Sequence, residues 1–182
     1  MVNLIVLALV IVGTIFVIAT YNAFIRLKNL CDNAWSDVDV QLKRRYDLIP
    51  NLVSTVKGYA SHEKEVLENV TKARAEATTA KTPAEQSKAE NMLTGALRQL
   101  FAVAENYPEL KANTNFLDLQ NNLSEIETAI QNARRYYNAV VRDNNIKIES
   151  FPSNVIASIF SFKKREFFEM AEGERAAPKV EF

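Results

Sequence analysis

The chain has 182 residues, with 22 basic and 22 acidic side chains, one histidine, one cysteine and an apolar share of 48%. Balanced charge leaves no basic excess for binding nucleic acid, and the apolar share excludes a disordered chain. The single cysteine, Cys31, excludes an internal disulfide framework and any Cys-rich metal site.

Residues 1–25 carry no charged side chain, and Leu4 to Ile18 reads LIVLALVIVGTIFVI. As a helix, Leu4 to Ile25 extends about 33 Å at ~1.5 Å per residue, enough for a hydrocarbon core of about 30 Å. Its Val, Leu, Ile and Phe side chains favour insertion by roughly 5–7 kcal/mol. A secretory signal peptide is the alternative, since Val17-Ile18-Ala19 matches a small-residue cleavage pattern that would cut after Ala19. Against it, no Lys or Arg precedes the apolar run, and the run continues through Tyr21 to Ile25. A retained single-pass anchor over residues 1–25 is expected, with Tyr21 at the interface and Arg26 and Lys28 closing the span. Those two and Lys43-Arg44-Arg45 all follow the span, which predicts that the remaining domain faces the cytoplasm.

Beyond the span, helical period dominates. Phe24, Leu27, Cys31, Trp35, Val38 and Leu42 recur every three or four residues, so the membrane helix is expected to run on into the following domain. Pro50 is expected to interrupt it, with Asp47 capping a new helix striped by Leu52, Val56, Tyr59, Glu63, Val66 and Val70. Gly58 inside that stripe suggests a close helix contact or a bend. Thr82-Pro83-Ala84-Glu85 reads as a helix start, with Thr82 as N-cap, Pro83 at the first position and Glu85 completing a capping box. That helix carries Leu93, Leu97 and Leu100 and stops near Asn106-Tyr107-Pro108. From Phe116 to Val140, through Leu119, Leu123, Ile126, Ile130, Ala133 and Tyr137, the apolar steps alternate between three and four residues, a seam for other helices.

Four long amphipathic segments with short breaks predict an all-α fold: an N-terminal transmembrane helix continuing into an antiparallel four-helix bundle over residues 26–149. Residues 150–182 form the third part, an aromatic-rich C-terminal segment with a short helix and a tail. Phe151, Phe160, Phe162, Phe167 and Phe168, with Val155, Ile156 and Ile159, are too many apolar side chains to leave in water. Three surfaces suit them: the bundle's own flank, a neighbouring copy, or the lipid interface. Protein contact is favoured because the segment is short and broken by Pro152.

Asp37, Asp39, Lys43, Arg44 and Arg45 form the other candidate interface. They read either as a solvated face laced with i,i+4 pairs such as Asp39 with Lys43, or as a docking face for a partner or another copy. Lipid headgroups are a poorer match, because Lys43 lies about 27 Å beyond Ile25 along a straight helix at ~1.5 Å per residue. Trp35, about 15 Å past the span by the same rise, is expected in the core. Cys31, at a stripe position, is expected to be a small buried residue.

No enzyme pattern is complete. His62-Glu63 would need a second zinc ligand at residue 66, which is Val66, and there is no other histidine. Ser61 beside His62 points about 100° away on a helix, and no G-x-S-x-G, P-loop or dinucleotide glycine pattern occurs. No catalytic residue, metal, cofactor or small-molecule substrate is expected. The expected partners are a lipid bilayer, further copies of the chain, and a protein ligand in the alternative reading as a tethered adaptor.

Several stretches carry a resemblance over nearly the whole chain: Asn33-Ala34-Trp35-Ser36-Asp37-Val38-Asp39-Val40-Gln41-Leu42 continuing through Arg45-Tyr46-Asp47-Leu48-Ile49-Pro50-Asn51, then Val56-Lys57-Gly58-Tyr59-Ala60, Glu105-Asn106-Tyr107-Pro108-Glu109-Leu110, Ala133-Arg134-Arg135-Tyr136-Tyr137-Asn138 and Arg165-Glu166-Phe167-Phe168. In these the sequence resembles the LemA family. The resemblance implies a bacterial protein of the inner membrane with an N-terminal membrane helix and an antiparallel helical bundle, and it implies no established reaction.

Overall fold

The computed structural model describes residues 1–169; the remainder of the expected C-terminal segment lies outside the described residues. Six helices and no strand occur among the described residues: α1 (Val2–Tyr59), α2 (Lys64–Thr79), α3 (Pro83–Ala104), α4 (Pro108–Lys111), α5 (Thr114–Glu149) and α6 (Ser153–Ile159). The all-α class and the long apolar N-terminal helix are as the sequence predicts.

Pro50 does not break α1, and Asp47 lies inside the helix instead of capping a new one. A proline leaves the carbonyl four residues earlier without its helical donor. Here that carbonyl belongs to Tyr46, and the Nε–H of Arg74 on α2 donates to it at 2.7 Å. A charged donor thus replaces the missing backbone one, and the helix passes through. The break falls at Ala60 to Glu63, so the expected second stripe is divided between the end of α1, with Leu52 and Val56, and α2, with Val70. A Cβ at Gly58 would meet nothing within 4 Å, so the close contact suggested there is not made.

By contact the chain separates into two units, to each of which α1 and α5 contribute a part. One comprises Asp37–Arg134 together with Phe168 and Glu169. Its stretch of α1 buries Val38, Leu42, Arg45, Ile49, Leu52 and Val56, an unbroken alternation of four- and three-residue steps. Helices α2 and α3 pack against each other across a three-residue link. The α3 start has the anticipated capping box: the Glu85 N–H donates to Thr82 Oγ1 at 3.2 Å, and the Thr82 N–H donates to the Glu85 carboxylate at 3.3 Å. Asn113 does the same service for α5, its Oδ1 accepting from the Phe116 N–H at 3.0 Å.

The other unit comprises Met1–Ser36 and Arg135–Phe167. Its α1 stretch begins with an 18-residue apolar window of which no residue is buried. Burial starts near its end, where Phe24 clusters with Ile156 and Ala157 of α6, flanked by Val17, Ile148 and Phe162. Ser161 closes α6 in the left-handed region at φ 57°, and the Phe162 N–H donates to the Ala157 carbonyl at 2.9 Å. That is a Schellman turn with serine where glycine is usual, and it throws the following residue back onto the unit.

Candidate functional site

Arg45 sits at the heart of the Asp37–Arg134 unit. It was expected on an exposed docking face, yet only 3% of it is accessible. Its Nη1 donates to Glu90 at 2.8 Å, while its Nη2 donates to Thr94 at 2.9 Å and lies 3.3 Å from the Glu127 carboxylate. The third donor, Nε, is buried without an acceptor among the described residues. Glu90 also accepts from the Tyr46 hydroxyl, and the Gln86 amide donates to that hydroxyl at 2.7 Å and to the Ala77 carbonyl at 3.1 Å. Burial, reinforced by the Glu90 charge, pushes the Tyr46 phenol far above its ordinary value, so it stays protonated and donates.

A cleft of about 420 Å³ opens beside this network, lined by Arg45, Glu90 and Glu127 with Arg98, Arg134 and Phe168. The Arg134 guanidinium lies over the Phe168 ring, 4.5 Å from its centre, and Arg134 also donates to the Glu169 carbonyl at 2.8 Å. Phe168 is 1% exposed. The cleft is charged, and its central cation is already met by two carboxylates. Among the described residues no group of three or more His, Cys, Asp or Glu side chains is placed to hold a metal.

The remaining charged candidates, Asp37, Asp39, Lys43 and Arg44, are exposed. Arg44 donates to Gln41 at 2.9 Å along its own helix.

In the other unit the aromatic segment divides. Phe162 stacks on Phe24 at 4.7 Å and 24°, and the Tyr21 ring meets both Phe160 at 4.9 Å and Phe162 at 5.7 Å. The chain beyond is strapped down through its backbone. The Asn145 amide donates to the Arg165 carbonyl and accepts from the Arg165 N–H, both at 2.9 Å, in the pattern of a strand partner. The Tyr137 hydroxyl donates to the Glu166 carbonyl at 2.9 Å, and the Arg165 guanidinium pairs with Asp32 at 2.7 Å. Lys164 pairs with Glu149. Trp35 is half-buried, edge-on to Tyr137 at 5.1 Å. Cys31 is buried, which raises its thiol pKa. Phe151 is left 83% exposed, and Phe160 and Phe167 are about half exposed.

Glu90, Gln86, Arg74, Asn145, Tyr137 and Arg165 went unread as functional residues in the sequence. For Glu90 and Gln86 a signal existed, since both fall in the stripe that Leu93, Leu97 and Leu100 continue, and a polar residue in such a stripe must find a partner.

Fold and site together define a helical protein with a long, bare apolar N-terminal helix and a body organised around a buried ion-pair network. A profile of the LemA family matches residues 34–182, and the chain belongs to that family. Protein LemA of Metamycoplasma hominis is 28% identical over 158 residues, covering 85% of this chain and 71% of that protein. Magnetosome protein MamQ 2 of Paramagnetospirillum magneticum is 26% identical over 175 residues, covering 82% of this chain. MamQ of Magnetospirillum gryphiswaldense is 24% identical over 174 residues. The chain spans 64% of the length of each of these MamQ proteins.

Proposed function

We propose that the chain is a non-enzymatic, single-pass membrane protein whose helical body self-associates to build a scaffold on the bilayer. The carrying observation is the division of α1: an 18-residue apolar window in its first part has no buried residue, and from Phe24 onward it buries a regular stripe. A soluble helix does not leave such a surface bare, and lipid is the solvent that suits it. The basic residues after the span, Arg26 and Lys28 first, favour a bacterial inner-membrane topology with the body in the cytoplasm. The exposed face bearing Asp37, Asp39, Lys43 and Arg44 carries both signs of charge, which suits pairing with a second copy about a two-fold axis.

The cleft beside Arg45 supports a second reading, a tethered adaptor. Arg98 is exposed at its rim, where a partner's acidic side chain would find a cation.

Alkaline carbonate extraction followed by mass measurement in native lipid tests both readings. The scaffold requires retention in the membrane fraction and a particle of several copies. A monomer that captures one protein through the Arg98 cleft, lost in Arg98→Ala, favours the adaptor. Release by carbonate, or a mature chain beginning at Thr20, removes the anchor.

A further inference from the structure

We infer that α6 and its flanks form a lipid-facing foot, in which Phe151, Val155, Ile159 and Phe160 enter the headgroup boundary of an anionic bilayer beside the end of the α1 span. This rests on the reading of α1 as a membrane span. Helix α6 is two-sided. Ile156 and Ala157 are buried in their own unit, whereas Phe151 is 83%, Val155 49%, Ile159 67% and Phe160 46% exposed. Val155 and Ile159 stand one turn apart on the bare side. Amphipathic segments of this kind bury one apolar face shallowly in an interface.

What points to lipid, in preference to a second copy, is continuity. The Phe160 ring packs 4.9 Å from Tyr21, and Tyr21 lies in the last turn of the apolar stretch that ends at Ile25. The bare side of α6 therefore adjoins the level at which the uncovered surface of α1 ends and where an interfacial aromatic belongs. Charge completes the argument. Arg26 and Lys28 follow on α1 and Lys163 follows α6; all three are exposed, with no ion pair among the described residues. Two of the nearby acids are already engaged, Glu149 by Lys164 and Asp32 by Arg165, and Glu166 is exposed. An apolar patch beside free cations matches an acyl boundary under anionic headgroups.

The full-length protein, in a Trp35→Phe background, is reconstituted at high lipid excess into vesicles of mixed phosphatidylcholine and phosphatidylglycerol whose acyl chains are brominated near the headgroup. Single tryptophans are placed by Phe151→Trp, Ile159→Trp and, as reference, Val40→Trp; Val40 is 55% exposed and about 22 Å past Ile25 along α1 at ~1.5 Å per residue. Vesicle flotation, read on the same samples, reports the anchor independently. The foot predicts quenching at positions 151 and 159 about twofold or more above that at position 40, weakening in phosphatidylcholine alone. Flotation with equal quenching at all three positions overturns the foot and leaves the anchor standing. Blue-shifted but unquenched emission at 151 and 159 overturns it in favour of a second copy. Equal quenching with and without the anionic lipid overturns the headgroup assignment, and loss of flotation removes anchor and foot together.

Discussion

Two arginines show how differently the two units hold themselves together. Arg45 is enclosed, and each of its terminal nitrogens faces a carboxylate. Arg165 is 38% exposed at its side chain and meets a single, half-exposed Asp32. The same chemical pair has opposite consequences in these settings. A buried pair contributes little beyond what packed apolar residues would, but breaking it strands a charge; an exposed pair is screened and nearly dispensable. The strap that carries Arg165 is accordingly held by its backbone, through Asn145 and Tyr137, and only secondarily by charge.

The contrast breaks most visibly at Glu90. Glu90→Ala leaves Arg45 buried beside Glu127 alone and is expected to cost about 3–5 kcal/mol, a fall in Tm of roughly 6–20 °C. Arg45→Met combined with Glu90→Leu should recover most of that loss in the same thermal melt, because no ion is then left unmatched. A double variant as unstable as the single one would mean that the network contributes more than charge compensation.

Arg74 is next. Arg74→Met removes the donor to the Tyr46 carbonyl and should cost about 1.5–3 kcal/mol in the native chain. In a Pro50→Ala background the helix regains its own N–H, and the same substitution should cost well under half as much. Equal costs in the two backgrounds would disprove the account of how α1 passes through Pro50.

For the strap, Tyr137 gives a pH signature. Burial, with lesser contributions from nearby charges, pushes its phenol up to about 12. The folded state therefore favours the protonated form, and the stability it contributes is complete below about 10, the ordinary tyrosine value, and disappears as pH rises to about 12. Tyr137→Phe should cost about 0.5–1.5 kcal/mol at neutral pH and flatten part of the alkaline decline in denaturant midpoint. An unchanged alkaline profile would place the titration elsewhere.

Asp32→Ala should have the smallest effect, below about 1 kcal/mol and shrinking further in high salt. A loss comparable to that of Glu90→Ala would erase the distinction between the two arginines.

Much of this was legible beforehand because it is local. The uncharged run before Arg26 reads directly as a long apolar helix, Thr82 and Glu85 supply both halves of a cap within four residues, and the seam from Phe116 to Val140 repeats at the helical period. Cys31 belonged to a stripe and is buried there. Arg45 was misplaced for a traceable reason. It continues the 38, 42, 49, 52 spacing, but it stands at the end of the run Lys43-Arg44-Arg45 and was read with those neighbours as one charged face, so a core cation passed for a surface one.

The sequence by itself determined the helical class, the apolar span and the family, since these depend on period, composition and motif order within short windows of chain. The tertiary structure alone decided whether Pro50 stops α1, whether Arg45 faces water, and which side of the aromatic segment is covered. Each of those outcomes depends on a group remote in sequence, Arg74 for Tyr46, Glu90 for Arg45, and Tyr21 with Phe24 for Phe160 and Phe162. A proline's lost hydrogen bond or an arginine's desolvation has no fixed cost until the chain brings its partner within 3 Å or so.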